Sequence, residues 1–176
     1  MNEHRMRRLA AAGIAFFALA AAPAAQAKPA PIPDAIKVPA GNRVFLAAHA
    51  TGVQIYSCTA SGWTFVAPRA TLTDERGRPI IEHFAGPTWK YRDGSQVVGR
   101  VEASATVDPT AIPWLRLTAV STTPGKLGRT TFIQRIDTRG GLAPAASLCG
   151  PQNAGAQAEV PYTADYLFWE KARRRD

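Results

Sequence analysis

Cysteine and histidine are scarce in this chain, at two and three of 176 residues. No H-x-H, H-x-x-x-H or C-x-x-C spacing occurs, so neither a metal site nor a dithiol redox pair has the ligand pattern it needs, and no cofactor is expected. Long apolar runs are also missing. The one run of note, residues 9–22, holds fourteen residues, short of the roughly 20 that cross a bilayer core as a helix. Beyond it no segment keeps a 3.6-residue apolar period, which excludes a helical bundle. There is no G-x-S-x-G elbow for a nucleophilic serine, no internal repeat, and no lysine-rich stripe with interleaved aromatics, so nucleic acid is not an expected partner.

What is present begins with an address. Arg5, Arg7 and Arg8 precede the apolar run, and Ala25-Gln26-Ala27 closes it. A basic start, a short apolar core and an A-x-A ending predict a secretory signal peptide over residues 1–27, cleaved near Ala27. The expected location is periplasmic or extracellular, with no stable membrane span after cleavage. Removing Arg5, Arg7, Arg8 and Glu3 from the 21 basic and 13 acidic residues leaves 18 against 12, a charge of +6. Residues 171–176, with Lys171, Arg173, Arg174 and Arg175, read as a basic disordered tail. Cys58 and Cys149 in an oxidising compartment most simply mean one bridge; the competing reading, two separate reactive thiols, lacks a redox spacing.

Residues 28–37 belong to a proline-rich stretch, KPAPIPDAIKVP, and are expected to form an extended arm without a helix of its own. A single domain over 38–170 follows. Its period is two. Residues 53–59 alternate, Ser61-Gly62 is a turn signal, and 63–66 resume extended structure, which describes a hairpin. Residues 73–79 form a turn cluster. Residues 96–107 alternate, with Val97, Val101, Ala103, Ala105 and Val107 on one face. Pro109 and Pro113 bracket a crossover before strands at 114–120 and 130–138, a loop at 140–161 and an aromatic strand at 162–169. The class is all-β, an antiparallel sandwich or barrel of about eight to ten short strands with little helix.

The stretch HFAGPTWKYRDGSQVVG, residues 83–99, gathers a histidine, an aspartate and a serine. Asp93-Gly94 between alternating segments is a strong hairpin signal, because both residues tolerate positive φ, so Asp93, Gly94 and Ser95 need no chemistry to explain them. His83 follows Ile80-Ile81 and precedes Trp89, which places its ring beside an aromatic; a neutral imidazole there either bonds loop carbonyls or moves protons near neutrality. The aromatics Tyr56, Trp63, Phe65, Trp89, Tyr91, Trp114, Tyr162, Tyr166, Phe168 and Trp169 are mostly core candidates. Those at a barrel mouth would instead line a small-ligand pocket.

Taken together, GVQIYSC at 52–58, Trp63-Thr64-Phe65, His83 with Gly86-Pro87-Thr88-Trp89 and Asp93-Gly94-Ser95, Ile112-Pro113-Trp114-Leu115, Gln134-Arg135, Thr138, Gly140-Gly141, Cys149 and Tyr162-Thr163-Ala164-Asp165-Tyr166 make the chain resemble a family of secreted bacterial and fungal proteins catalogued only as a domain of unknown function. The resemblance implies that both cysteines belong to the fold, that the domain is a single exported unit, and that an apolar residue is expected where Arg116 stands. It brings no reaction with it.

Three readings follow. The first is a non-enzymatic exported β domain that binds a small-molecule or polysaccharide ligand, with His83, Trp89 and Asp93 near the rim of an aromatic-lined pocket. The second is a hydrolase or isomerase of envelope material with His83 as general base, oriented by Asp93 or Asp165; it requires a carboxylate within hydrogen-bond reach of His83. The third is a purely structural envelope protein, left if neither pocket nor cleft exists.

Overall fold

The structure is a computed structural model that describes residues 30–173. The signal peptide expected over 1–27 lies outside these residues, as do the last three positions of the tail. Among the described residues no helix is long and apolar enough to cross a membrane.

Eight antiparallel strands close into one barrel in chain order: β1 (Asn42–Thr59), β2 (Gly62–Thr73), β3 (Pro79–Phe84), β4 (Thr88–Tyr91), β5 (Gln96–Ala105), β6 (Trp114–Thr122), β7 (Phe132–Gly140) and β8 (Gln157–Lys171). Every strand neighbours the next, and β1 also pairs with β8 from Asn42↔Lys171 to Ser57↔Gln157. The alternative of a sandwich is thereby resolved to an up-and-down barrel, in which closure leaves no unpaired edge. Two strands are longer than the short ones expected, at 18 residues for β1 and 15 for β8. Their alternation persists across Gly52 and Pro161, and bulges absorb the register slips near Val44 and Ile55. The segment between Pro109 and Pro113 is not a crossover, because β5 and β6 are direct antiparallel neighbours.

The inside of the barrel follows from period-two burial. On β8, Tyr162, Ala164, Tyr166, Phe168 and Glu170 are buried in alternation; on β1, Ala48, Ala50, Gln54, Tyr56 and Cys58 are. Small residues at Ala48, Ala50, Ala70 and Ala164 leave room for Trp89, Tyr166 and Phe168, so small and large side chains share the narrow lumen. Burying a side chain such as Phe168 stabilises the fold by about 1.5–3 kcal/mol. Gly52 is required by the close pairing of β1 with β2, since a Cβ there would fall 2.2 Å from the Arg69 carbonyl oxygen.

A second, smaller cluster sits on the outer wall. Residues 30–37 run over it with one 3-10 turn, Asp34–Ile36, and bury Ile36 against Trp114 and Ile136. Gln134 donates to the Ile36 carbonyl at 2.7 Å and Arg116 to the Lys37 carbonyl at 2.6 Å. Arg116 therefore faces outward beneath the arm while Leu115 and Leu117 face in, so a charge at the position where an apolar residue was expected does not enter the core. A bulge between Val101 and Ala103 splits the face expected for β5: Val97 and Val101 point to the lumen, Ala103 and Ala105 to the arm.

Strand alternation sends the β1–β2, β3–β4, β5–β6 and β7–β8 connections to one end, the mouth, and the other three to the floor. At the mouth a disulfide joins Cys58, at the end of β1, to Cys149 in the β7–β8 loop, with Cα atoms 5.4 Å apart.

Candidate functional site

His83 and Trp89 are paired in register across β3 and β4, and their rings stack with centroids 4.3 Å apart and planes 6° from parallel. Tyr166 meets both edge-on, at 5.4 and 5.6 Å. The stack fits because Gly99 on β5 has no side chain; a Cβ there would lie 3.0 Å from Trp89 Cζ3. His83 is 4% exposed, and its Nδ1–H donates to the Thr88 carbonyl at 2.9 Å. A carbonyl only accepts, so Nδ1 carries the proton and Nε2 is an acceptor. Burial brings the His83 pKa down to about 4, against a smaller upward pull from the Thr88 bond, with the nearby Arg135 charge adding to the fall. The imidazole is neutral at pH 7.

Above this stack lies a cavity of about 260 Å³ to which all eight strands contribute, from Gln54 on β1 through His83, Trp89 and Leu115 to Arg135 on β7 and Tyr166 on β8. Ala85, Gly86 and Pro87 of the β3–β4 turn lie at its lip, and Phe65 and Val101, each 50% exposed, stand at the rim. Larger depressions exist on the outer wall, one of about 640 Å³ beside Glu82, Lys90 and Asp93. That one is framed by exposed charged side chains and has no stacked aromatic floor, so the interior cavity is the better ligand site.

The polar groups of the cavity form a strip. Arg135 pairs in register with Leu115 on one side and Tyr166 on the other, while Gly52 on β1 pairs with Tyr162. Arg135 donates from Nε and Nη2 to the Pro113 carbonyl, at 3.2 and 2.8 Å. Burial raises the pKa values of Tyr162 and Tyr166, and the Arg135 charge opposes the rise in both. The hydroxyls of Tyr162 and Tyr166, Gln54 Nε2 and Trp89 Nε1 are buried without a hydrogen-bond partner in the protein. Gln54 and Tyr166 lie close enough to bear on the Tyr162 hydroxyl, yet neither pair reaches hydrogen-bonding geometry.

Of the residues singled out in the sequence, His83 and Trp89 meet at the floor of this cavity and Asp93 does not join them. Strand β4 carries the chain from mouth to floor, so Asp93 lies in the β4–β5 turn at the opposite end. There Asp93 Oδ1 accepts from the Ser95 backbone N–H at 2.8 Å and the Ser95 hydroxyl at 2.5 Å, and Oδ2 accepts from the Lys126 N–H at 2.7 Å. The Ser95 hydroxyl in turn accepts from Leu127 N–H at 3.1 Å. These bonds hold the Asp93 pKa below the usual carboxylate range. Gly94 takes φ 89°, as a tight turn demands. Ser95, 1% exposed, ties the β6–β7 loop over the barrel floor, where Leu127 is fully buried.

Asp165 does not orient His83 either. It bonds His49 Nδ1 at 2.7 Å on the outer wall. Sequence reasoning passed over Arg135, Gln54 and Leu115 as site residues; only the closure of the barrel places them opposite His83. No group of three or more histidine, cysteine, aspartate or glutamate side chains able to hold a metal occurs among the described residues.

A family model described as "Protein of unknown function (DUF3455)" matches residues 39–170. No curated protein and no solved structure matches the chain.

Proposed function

We propose, for a chain that belongs to the family described as Protein of unknown function (DUF3455), that the barrel mouth binds one small, largely apolar molecule without altering it chemically, in an exported protein. The cavity lined by all eight strands carries this reading. Eight-stranded barrels have a lumen that either fills with side chains or keeps space for one small ligand, and here the lower half is filled and the upper half is not. Its volume of about 260 Å³ equals that of about nine waters in the liquid at ~30 Å³ each, which suits a compact molecule of about ten non-hydrogen atoms and is too small for a polymer chain. The Cys58–Cys149 bridge supports an oxidising compartment.

A general base at His83 has less support. Its Nδ1–H is given to a backbone carbonyl, and the carboxylates named as candidate orienters, Asp93 and Asp165, are committed elsewhere. A low pKa also makes the ring a weak base at neutral pH.

The test uses 2-naphthol, neutral at pH 7 and of the right size, followed by quenching of tryptophan fluorescence. Saturable binding is expected in the oxidised protein and in Val120→Trp, whose side chain lies on the outer wall, and it is expected to be lost in Val101→Trp, which fills the mouth. Binding that survives Val101→Trp unchanged, or no binding at all, overturns the reading.

A further inference from the structure

Arg135 is a half-buried guanidinium facing the lumen, and none of the ion pairs among the described residues involves it. The two N–H groups given to the Pro113 carbonyl fix the plane of the fork. A guanidinium has five N–H donors, so three remain beyond those given to Pro113, with the Tyr166 hydroxyl the protein group nearest to them. The titratable groups on which its charge acts are Tyr56, His83, Tyr162 and Tyr166, all of them neutral in their ordinary forms at pH 7.

The other unpartnered groups near it are neutral, and the Tyr162 and Tyr166 hydroxyls can accept as well as donate. Gln54 Nε2 and Trp89 Nε1 can only donate. Across the barrel, four strands from Arg135 in either direction, His83 offers a single acceptor at Nε2. The lumen thus holds one positive charge with no carboxylate to pair with it, against walls made by Leu115, Leu117, Val101 and the Trp89 ring. A planar fork with free N–H groups facing an apolar-walled cavity matches a carboxylate in two parallel hydrogen bonds.

We infer that the ligand of this cavity is a small monoanionic amphiphile, an aromatic or branched aliphatic monocarboxylate, whose carboxylate pairs with Arg135 while its apolar body lies against Trp89 and Leu115. The inference rests on the reading of the mouth as a ligand site and adds the charge and class of the ligand. One guanidinium with no second cation in the lumen favours a single negative charge over a phosphate monoester. Arg135 is therefore a recognition residue, and His83 supplies, through Nε2, an acceptor for any hydroxyl the ligand carries.

The experiment compares three probes of nearly equal shape, 1-naphthoate, 1-naphthamide and (1-naphthyl)methylammonium, by titration calorimetry at pH 7 with the oxidised protein and its Arg135→Gln and Arg135→Lys variants. The wild-type protein is expected to bind naphthoate at least about tenfold more tightly than naphthamide and to reject the ammonium compound. Arg135→Gln is expected to bring naphthoate affinity down to that of naphthamide, and Arg135→Lys to retain part of the preference. If Arg135→Gln fails to fold, the wild-type comparison of naphthoate with naphthamide decides alone. Equal affinity for those two overturns the anionic ligand and leaves the pocket reading standing; binding of none of the three overturns both.

Discussion

At the scale of the residue, His83 is where burial, tautomer and charge come together. Its folded pKa of about 4 lies below the ordinary value of 6.5. As pH falls from about 6.5 to 4, an unfolded chain takes up a proton that the folded one refuses, so the unfolded state gains and stability drops; below the folded pKa the loss levels off. The difference corresponds to about 3 kcal/mol over that window at ~1.4 kcal/mol per pKa unit. The unfolding free energy measured by urea denaturation is expected to fall across that range in the wild-type protein and to be flatter in His83→Gln. An unchanged slope in the variant would contradict the buried neutral ring. Asp74 and Asp93, whose pKa values are lowered, act in the same direction but in a lower pH window. Their contribution is present above about pH 4 and fades only as pH falls further, which separates the two effects. That His83 stands beside an aromatic was legible, because Trp89 follows six residues later across a turn rich in glycine and proline. That Asp93 stands at the other end was not, since closeness in sequence says nothing about which end of a strand a side chain occupies.

At the scale of the element, β5 is the instructive strand. Its alternation reads as one apolar face, yet the bulge between Val101 and Ala103 turns the strand over, so that one stretch serves the lumen and the next serves the arm. Bulges leave little mark on polarity, because both the lumen and the covered outer wall accept small apolar residues. Gly99 sits just before this point and accommodates the edge of Trp89. Gly99→Val is expected to cost about 1–3 kcal/mol through overpacking, with a changed tryptophan emission. Combining it with Trp89→Phe should destabilise by less than the sum of the two single changes, because the two positions share one space. Strict additivity in thermal denaturation would show that the contact carries no strain. The turns were easier to read: Ser61-Gly62, residues 73–79 and Asp93-Gly94 all connect neighbouring strands, since each turn depends on local backbone freedom that its own residues declare.

At the scale of the whole molecule, three devices hold the barrel: closure of β1 on β8, the arm over the outer cluster, and the bridge at the mouth. The Cys58–Cys149 bridge spans a sequence separation of 91, and a loop of that length restrains the unfolded chain by about 4–5 kcal/mol in the chain-entropy account. Reduction is expected to lower the urea midpoint by a corresponding amount and to loosen the β7–β8 loop, with earlier hydrogen exchange at the Cys58 N–H, which donates to the Ala156 carbonyl. A reduced protein as stable as the oxidised one would remove the bridge from the list of supports. Composition and alternation alone determined the all-β class, the position of most turns and the pairing of two cysteines, because these depend on which side chains recur every second residue and on how few cysteines there are to pair. Barrel over sandwich, the outward direction of Arg116, and the placing of His83 and Arg135 around one cavity were decided only by the tertiary structure. Alternation states which residues share a face and leaves open which strands become neighbours, and the lumen with its unpaired positive charge exists only once the last strand has found the first.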